Sequence, residues 1–251
     1  MCLVIIAWQK HQDYPLILAG NRDEFHSRPT RDARVWSDHP DIMGGRDLQA
    51  GGTWLALHRN GRIATVTNFR DAQLEPATFR SRGHLVTEFL LGAAGPLEYL
   101  ESIDGDSYAG FNLLVSDGLT LAYLSNRGAP AKELGAGVYG VSNALLDSKW
   151  DKVLRSKQSM LGLLREDKIN ETELFRLLND REKAPVANIE STRLPFATAH
   201  AISAPFIVLP DYGTRSSSVA ILNTRGRWQF SERRFDAAGN SVGNTRFTMS
   251  P

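Results

Sequence analysis

The chain has 251 residues, with 29 Lys+Arg against 28 Asp+Glu and a formal net charge of +1. That balance excludes a dedicated nucleic-acid or anionic-membrane surface, because both draw binding energy from a basic excess. A single cysteine excludes an internal disulfide and a Cys-clustered zinc site and fits a reducing compartment, so a cytoplasmic location is expected.

Leu3 to Trp8 is a short apolar run, far below the roughly 18 residues of a membrane span, so no membrane insertion is expected. After the turn-like His11 to Pro15, a second run covers Leu16 to Ala19, and together they predict a buried β-hairpin at the chain start. Thr53 to His58 and Ile63 to Asn68 flank Arg59-Asn60-Gly61-Arg62, where Asn-Gly predicts a two-residue turn with positive φ angles. Residues 82 to 103 predict two short helices broken at Gly95-Pro96, with Ser81 or Thr87 as the starting cap. Strands follow from Phe111 to Val115 and from Leu119 to Leu124, turning at Asp117-Gly118. Helices are expected from about Lys149 to Leu164 and from Glu171 to Leu178, then a loop to about His200. The last strands are expected at Phe206 to Leu209, Ser217 to Leu222 and Arg227 to Phe235, with a turn at Thr224-Arg225-Gly226. No repeat or Gly/Ser/Pro-rich linker divides the chain, so 1–251 reads as a single domain. Blocks of strands alternating with blocks of helices predict an α+β fold with mostly antiparallel sheets.

Cys2 is the most informative residue. Removal of Met1 would leave it with a free α-amine of ordinary pKa about 8, able to act as general base for its own thiol. A lone cysteine at a strand start also fits a small buried hydrophobe. Asn21-Arg22-Asp23-Glu24 follows the second apolar run, and in an antiparallel hairpin it returns beside Cys2. There Arg22 would favour the thiolate and a carboxylate could hold the α-amine. The same segment also fits a solvated turn.

Met1-Cys2-Leu3, Gly20-Asn21-Arg22-Asp23-Glu24-Phe25, Gly51-Gly52-Thr53-Trp54-Leu55, Thr67-Asn68-Phe69-Arg70, Gly110-Phe111-Asn112-Leu113, Gly140-Val141-Ser142-Asn143 and Tyr212-Gly213-Thr214-Arg215-Ser216 follow one another along the chain. Taken in order, these motifs resemble the NRDE-motif family, also called the transport and Golgi organisation protein family. The family is similar to N-terminal-nucleophile (Ntn) hydrolases of the choloylglycine hydrolase and penicillin V acylase type, which implies a four-layer αββα sandwich. By that resemblance Cys2 matches the nucleophile, Arg22 and Asp23 the following Arg and Asp, Asn68 the oxyanion-hole Asn, Asn143 the second Asn and Arg215 the late Arg. The hydrolases space Arg and Asp as R-N-x-D, whereas this chain reads N-R-D-E, so Asn21 or Glu24 could be the counterparts and are the candidate substrate contacts.

The set is coherent for hydrolysis of the C–N bond of a small acylated substrate, which requires no cofactor. The family has also been linked to haem trafficking and to lipid or acyl-CoA handling, so a non-catalytic haem or acyl-CoA carrier is the alternative. The six histidines show no metal-ligand spacing such as H-E-x-x-H, and no metal site is expected. The expected partner is a small-molecule ligand.

Overall fold

The computed structural model describes residues 2–70, 79–189 and 194–251. β1 (Cys2–Trp8) and β2 (Leu16–Phe25) form the expected hairpin, with Cys2 opposite Arg22 and Trp8 opposite Leu16. β2 does not stop where its apolar run stops. It continues through Asn21-Arg22-Asp23-Glu24 because both its edges are paired, with β1 on one side and β11 (Tyr212–Leu222) on the other. Neighbouring strands and loops satisfy the polar groups this buries, as burial demands.

The six-stranded sheet runs in the order β10 (Gly137–Val141), β1, β2, β11, β12 (Trp228–Phe235) and β13 (Ser241–Met249). The seven-stranded sheet takes its strands in chain order: β3 (Thr30–Val35), β4 (Ile42–Asp47), β5 (Leu55–His58), β6 (Ile63–Asn68), β7 (Phe111–Ser116), β8 (Leu121–Ser125) and β9 (Lys132–Glu133). All these neighbours pair antiparallel.

Side-chain alternation along the strands builds three apolar layers. In β1, Val4, Ile6 and Trp8 meet Met43, Leu57 and Leu114 of the other sheet. Leu3, Ile5 and Ala7 point the opposite way, onto Val153 and Met160 of α3 (Asp151–Arg165) and Leu174 and Leu178 of α4 (Glu171–Leu178). The outer face of the seven-stranded sheet packs Ala56, Ala64 and Val66 against Leu85, Val86 and Phe89 of α1 (Gly83–Leu91) and Leu100 of α2 (Pro96–Glu101). Helices, sheet, sheet, helices is the four-layer αββα sandwich that the resemblance implied. A fifth short helix, α5 (Phe196–Ala201), lies in the segment expected to be a loop.

Local expectations fared unevenly. Both helix pairs, the break before Pro96 and the turn at Asp117-Gly118 stand as expected. In the 59–62 turn only Gly61 takes a positive φ, +97°, and Asn60 instead accepts the Arg62 amide on its side chain. Neither Ser81 nor Thr87 caps α1, which starts after Arg82 without a side-chain cap. Phe206 to Leu209 is not a strand. The Phe206 amide goes to the Asp180 carbonyl and the Ile207 amide to the Thr214 hydroxyl, leaving one isolated bridge between Val208 and Gly213.

Candidate active site

The cross-strand register of the first hairpin sets the site. Cys2, Arg22 and Ser216 are direct neighbours across β1, β2 and β11, so their side chains share the face between the two sheets. Here the sheets part into a cleft of about 440 Å³, a volume suited to a small molecule. Its lining includes Cys2, Arg22, Asp23, Glu24, Trp54 and Asn68.

The Arg22 guanidinium lies over the Trp54 ring, 4.2 Å from its centroid. Its Nη2 is 4.0 Å from Glu24 Oε2, and its Nη1 is buried with no hydrogen-bond partner among the described residues. A buried donor left open toward a cleft is suited to an anionic or carbonyl oxygen of a ligand. Glu24 also faces Arg28 at 3.8 Å, and Arg28 holds Asp47 through Nη2 at 2.6 Å and Nε at 3.1 Å.

Asp23 points the other way, toward the helices, and is 1% exposed. The Thr214 hydroxyl donates to its Oδ1 at 2.6 Å. Burial pushes the Asp23 carboxyl above its ordinary range, opposed by Lys152, by the Thr214 bond and by Arg22. Cys2 is partly exposed, yet burial of its thiol pushes its pKa up, Asp23 adds to this, and Arg22 only partly opposes it. Arg22 does favour the thiolate, as expected, but desolvation outweighs it and the net shift is upward.

Asn68 ends β6 with an exposed side chain in the cleft. Asn143 does not line the cleft but braces its wall. Its Nδ2 donates to the Asn68 carbonyl at 2.6 Å, and its own carbonyl accepts the Arg70 amide at 2.6 Å. Arg215 also stays outside the lining. It sits at the β-bulge between Thr214 and Ser216 and donates from Nη1 to the carbonyls of Phe25 (2.9 Å) and Arg28 (3.1 Å). Asn21 is 2% exposed and faces the helices. Its Nδ2 donates to the carbonyls of Leu178 (2.8 Å) and Pro205 (2.9 Å), and its Oδ1 accepts the Ser217 hydroxyl at 2.6 Å. The amide is fully used there, which leaves it nothing to offer a substrate, whereas Glu24 keeps its place at the cleft. Met1, whose removal bears on Cys2, lies outside the described residues.

Two further features escaped the sequence reasoning. One is a polar relay joining the sheets: Ser142 donates to the Cys2 carbonyl at 2.7 Å, Thr67 to the Ser142 carbonyl at 2.6 Å, Asn112 to Thr67 at 3.2 Å and Tyr123 to Asn112 Oδ1 at 2.7 Å. Such a satisfied buried network fixes how the strand ends meet. Thr67, Asn112 and Ser142 stood inside recognisable motifs, which was the available signal. The other is Lys152, 2% exposed in the first turn of α3, whose ammonium burial pushes down to about 8. Nothing in its helical neighbourhood marked it. Among the described residues no cluster of three or more His, Cys, Asp or Glu side chains could hold a metal, and no helix is long and apolar enough to cross a membrane.

Comparison with known proteins agrees with this architecture. Residues 1–237 match the family model described as Transport and Golgi organisation 2. The human Transport and Golgi organization protein 2 homolog is 35% identical over 258 residues, covering 93% of this chain and 92% of the relative. The Drosophila melanogaster Transport and Golgi organization protein 2 is 27% identical over 92% of this chain and 91% of its own length. Among solved structures, a conjugated bile acid hydrolase from Clostridium perfringens superposes with a TM-score of 0.56 at 11% identity, covering 99% of this chain and 92% of that one. An N-acylethanolamine-hydrolyzing acid amidase ortholog from Caenorhabditis elegans gives 0.50 at 12% identity over 88% and 92%. At such identities these likenesses establish the Ntn-hydrolase fold and nothing more.

Proposed function

Because the chain belongs to the Transport and Golgi organisation 2 family and lines one cleft of an Ntn-hydrolase fold with Cys2, Arg22, Asp23 and Asn68, we propose that it hydrolyses the C–N bond of a small acylated substrate with Cys2 as N-terminal nucleophile. The observation that carries this reading is the register that sets Arg22 directly across from Cys2 at the floor of that cleft. With Met1 removed, the Cys2 α-amine takes the thiol proton as sulfur attacks the carbonyl carbon. Asn68 donates to the oxygen that gains charge. The amine then returns the proton to the departing nitrogen, and water cleaves the resulting thioester, restoring the thiol and releasing the acid. A thiol kept neutral by burial needs a base within the same step, and its own α-amine is one.

The second reading, a non-catalytic carrier of haem or acyl-CoA, gains less from the side chains. No histidine lines the cleft among the described residues, so haem iron there would depend on the Cys2 sulfur. Intact-mass measurement of protein taken from its native cell, joined to a hydrolysis screen over N-acyl amides, tests the hydrolase. Loss of Met1 together with turnover abolished in Cys2→Ala is expected. Native protein that carries Met1 stoichiometrically would sink the mechanism and leave the fold untouched.

A further inference from the structure

The first turn of α3 holds an arrangement that helix stability opposes. Lys152 is its second residue and is 2% exposed. A cation at a helix N-terminus works against the macrodipole, and a buried ammonium loses its hydration. Lys152 Nζ donates to the Ile202 carbonyl at 3.2 Å, which leaves two of its three N–H groups without an acceptor among the described residues. It lines a small cavity of about 40 Å³ together with Arg70, Trp150, Asp151 and Ser203. The Arg70 guanidinium lies over the Trp150 ring at 4.6 Å. Among the described residues one carboxylate lines the wall, Asp151, which accepts from Asn188 Nδ2 at 3.1 Å. Lys152 and the positive end of α3 face it from the same wall.

The cavity shares no lining residue with the cleft, but two links join them. Lys152 and Asp23 each favour the other's charged form, and Lys152 also feels Cys2. Asn68 lines the cleft, and Arg70, two residues on, lines the cavity. A void of this size has room for about three water molecules, or for one carboxylate in their place.

We propose that the cavity at the N-terminus of α3 is an anion subsite in which Lys152 takes the carboxylate of a ligand whose amide lies at Cys2, so that the substrate class is an acylated amino acid or a similar carboxylate-bearing amide. The link to an amide rests on the hydrolase reading; the anion site itself does not.

The test follows the lysine side-chain ¹³Cε resonances of the full chain during titration with acetate, N-acetylglycine or inorganic phosphate, with Lys152→Met identifying the signal. Should that variant fail to fold, Lys152→Arg removes the same signal while keeping the charge. Both carboxylates, at millimolar concentration, are expected to raise the Lys152 midpoint from near 8 and leave the other lysines in place. N-acetylglycine should also protect Cys2 from iodoacetamide, with protection falling about tenfold in Lys152→Met and surviving in Lys152→Arg, as loss of one charge-assisted hydrogen bond implies. A Lys152 signal unmoved by either carboxylate overturns the subsite, and one moved by phosphate alone overturns the carboxylate assignment. Movement by N-acetylglycine without protection of Cys2 overturns the link between the two cavities. A Cys2 inert to alkylation in every sample refutes the hydrolase reading, while the lysine titration still decides the anion site.

Discussion

Asn21→Ala separates a structural amide from a substrate contact. The side chain makes three buried hydrogen bonds, to the Leu178 and Pro205 carbonyls and from the Ser217 hydroxyl. Alanine strands all three partners in a layer where Ser217 is 2% and Leu178 0% exposed. At about 1–3 kcal/mol for each stranded group, and with some relief from a reoriented hydroxyl, the loss comes to roughly 3–6 kcal/mol. For a chain of this length each kcal/mol moves Tm by about 2–4 °C, so the melt should fall by roughly 6–24 °C. Urea denaturation with an unchanged m-value and a thermal melt measure this directly, and Cys2 alkylation below the transition reports the cleft. The expected outcome is a large drop in both midpoints with an alkylation rate close to wild type. An unshifted melt combined with altered ligand binding would refute the assignment and return Asn21 to the substrate. Asn21→Asp keeps only the acceptor for Ser217 and buries a second carboxylate on the face of Asp23, so it should be no milder.

Asn68→Ala removes an exposed cleft donor and should lower kcat by about 10²–10³-fold with an unchanged melt; a loss shared with stability would refute the oxyanion role. The alkylation midpoint of Cys2 should lie above that of an ordinary thiol, and Arg22→Leu should raise it further, because burial leads and Arg22 opposes it; rate-against-pH profiles with iodoacetamide decide this. Lys152 is depressed from 10.5 to about 8, so the stability it contributes is present above its unfolded value and is lost as pH falls through about 8. Wild type should therefore gain up to about 3 kcal/mol on Lys152→Met between about pH 8 and 10.5 in urea denaturation, and parallel curves would refute the burial of that charge.

What the sequence made legible followed local pattern. The first hairpin, the Asp117-Gly118 turn and the helices at 82–103 and 149–178 carry clear periodicity or punctuation, and they stand. β3 reads Thr-Arg-Asp-Ala-Arg-Val, an edge strand with only Ala33 buried, and no hydrophobic alternation betrays it. β13 is likewise a polar edge holding Gly243 and Asn244, whose pairing with β12 supplies what its side chains do not. Lys152 was illegible for a different reason. In an amphipathic helix lysine reads as solvent-facing, and the groups that account for its burial, Asp23 and Ile202, are remote in sequence.

Strand alternation also bears on why the motif reads N-R-D-E where the hydrolases read R-N-x-D. Along β2 successive side chains take opposite faces. Asn21 and Asp23 turn to the helices, where Leu178, Pro205, Ser217 and Thr214 meet them, and Arg22 and Glu24 turn to the cleft, where Trp54 and Arg28 meet them. In R-N-x-D the Arg and the Asp stand an odd number of residues apart, and so do Arg22 and Asp23. In this chain that spacing puts the guanidinium and the carboxylate on opposite faces of β2. Arg22 with Glu24 would put both on one face. Glu24 is thereby a cleft residue that faces Arg28, and Asp23 a helix-side residue held by Thr214. The bulge in β11 between Thr214 and Ser216 fits the same division: Thr214 stays beside Asp23 on the helix side while Ser216 stays beside Arg22 on the cleft side. A one-residue slip of β2 would exchange the two faces, burying Arg22 among the helices and emptying the cleft of its cation. The three hydrogen bonds of Asn21 hold against that slip, so the amide that touches no substrate keeps Arg22 across from Cys2.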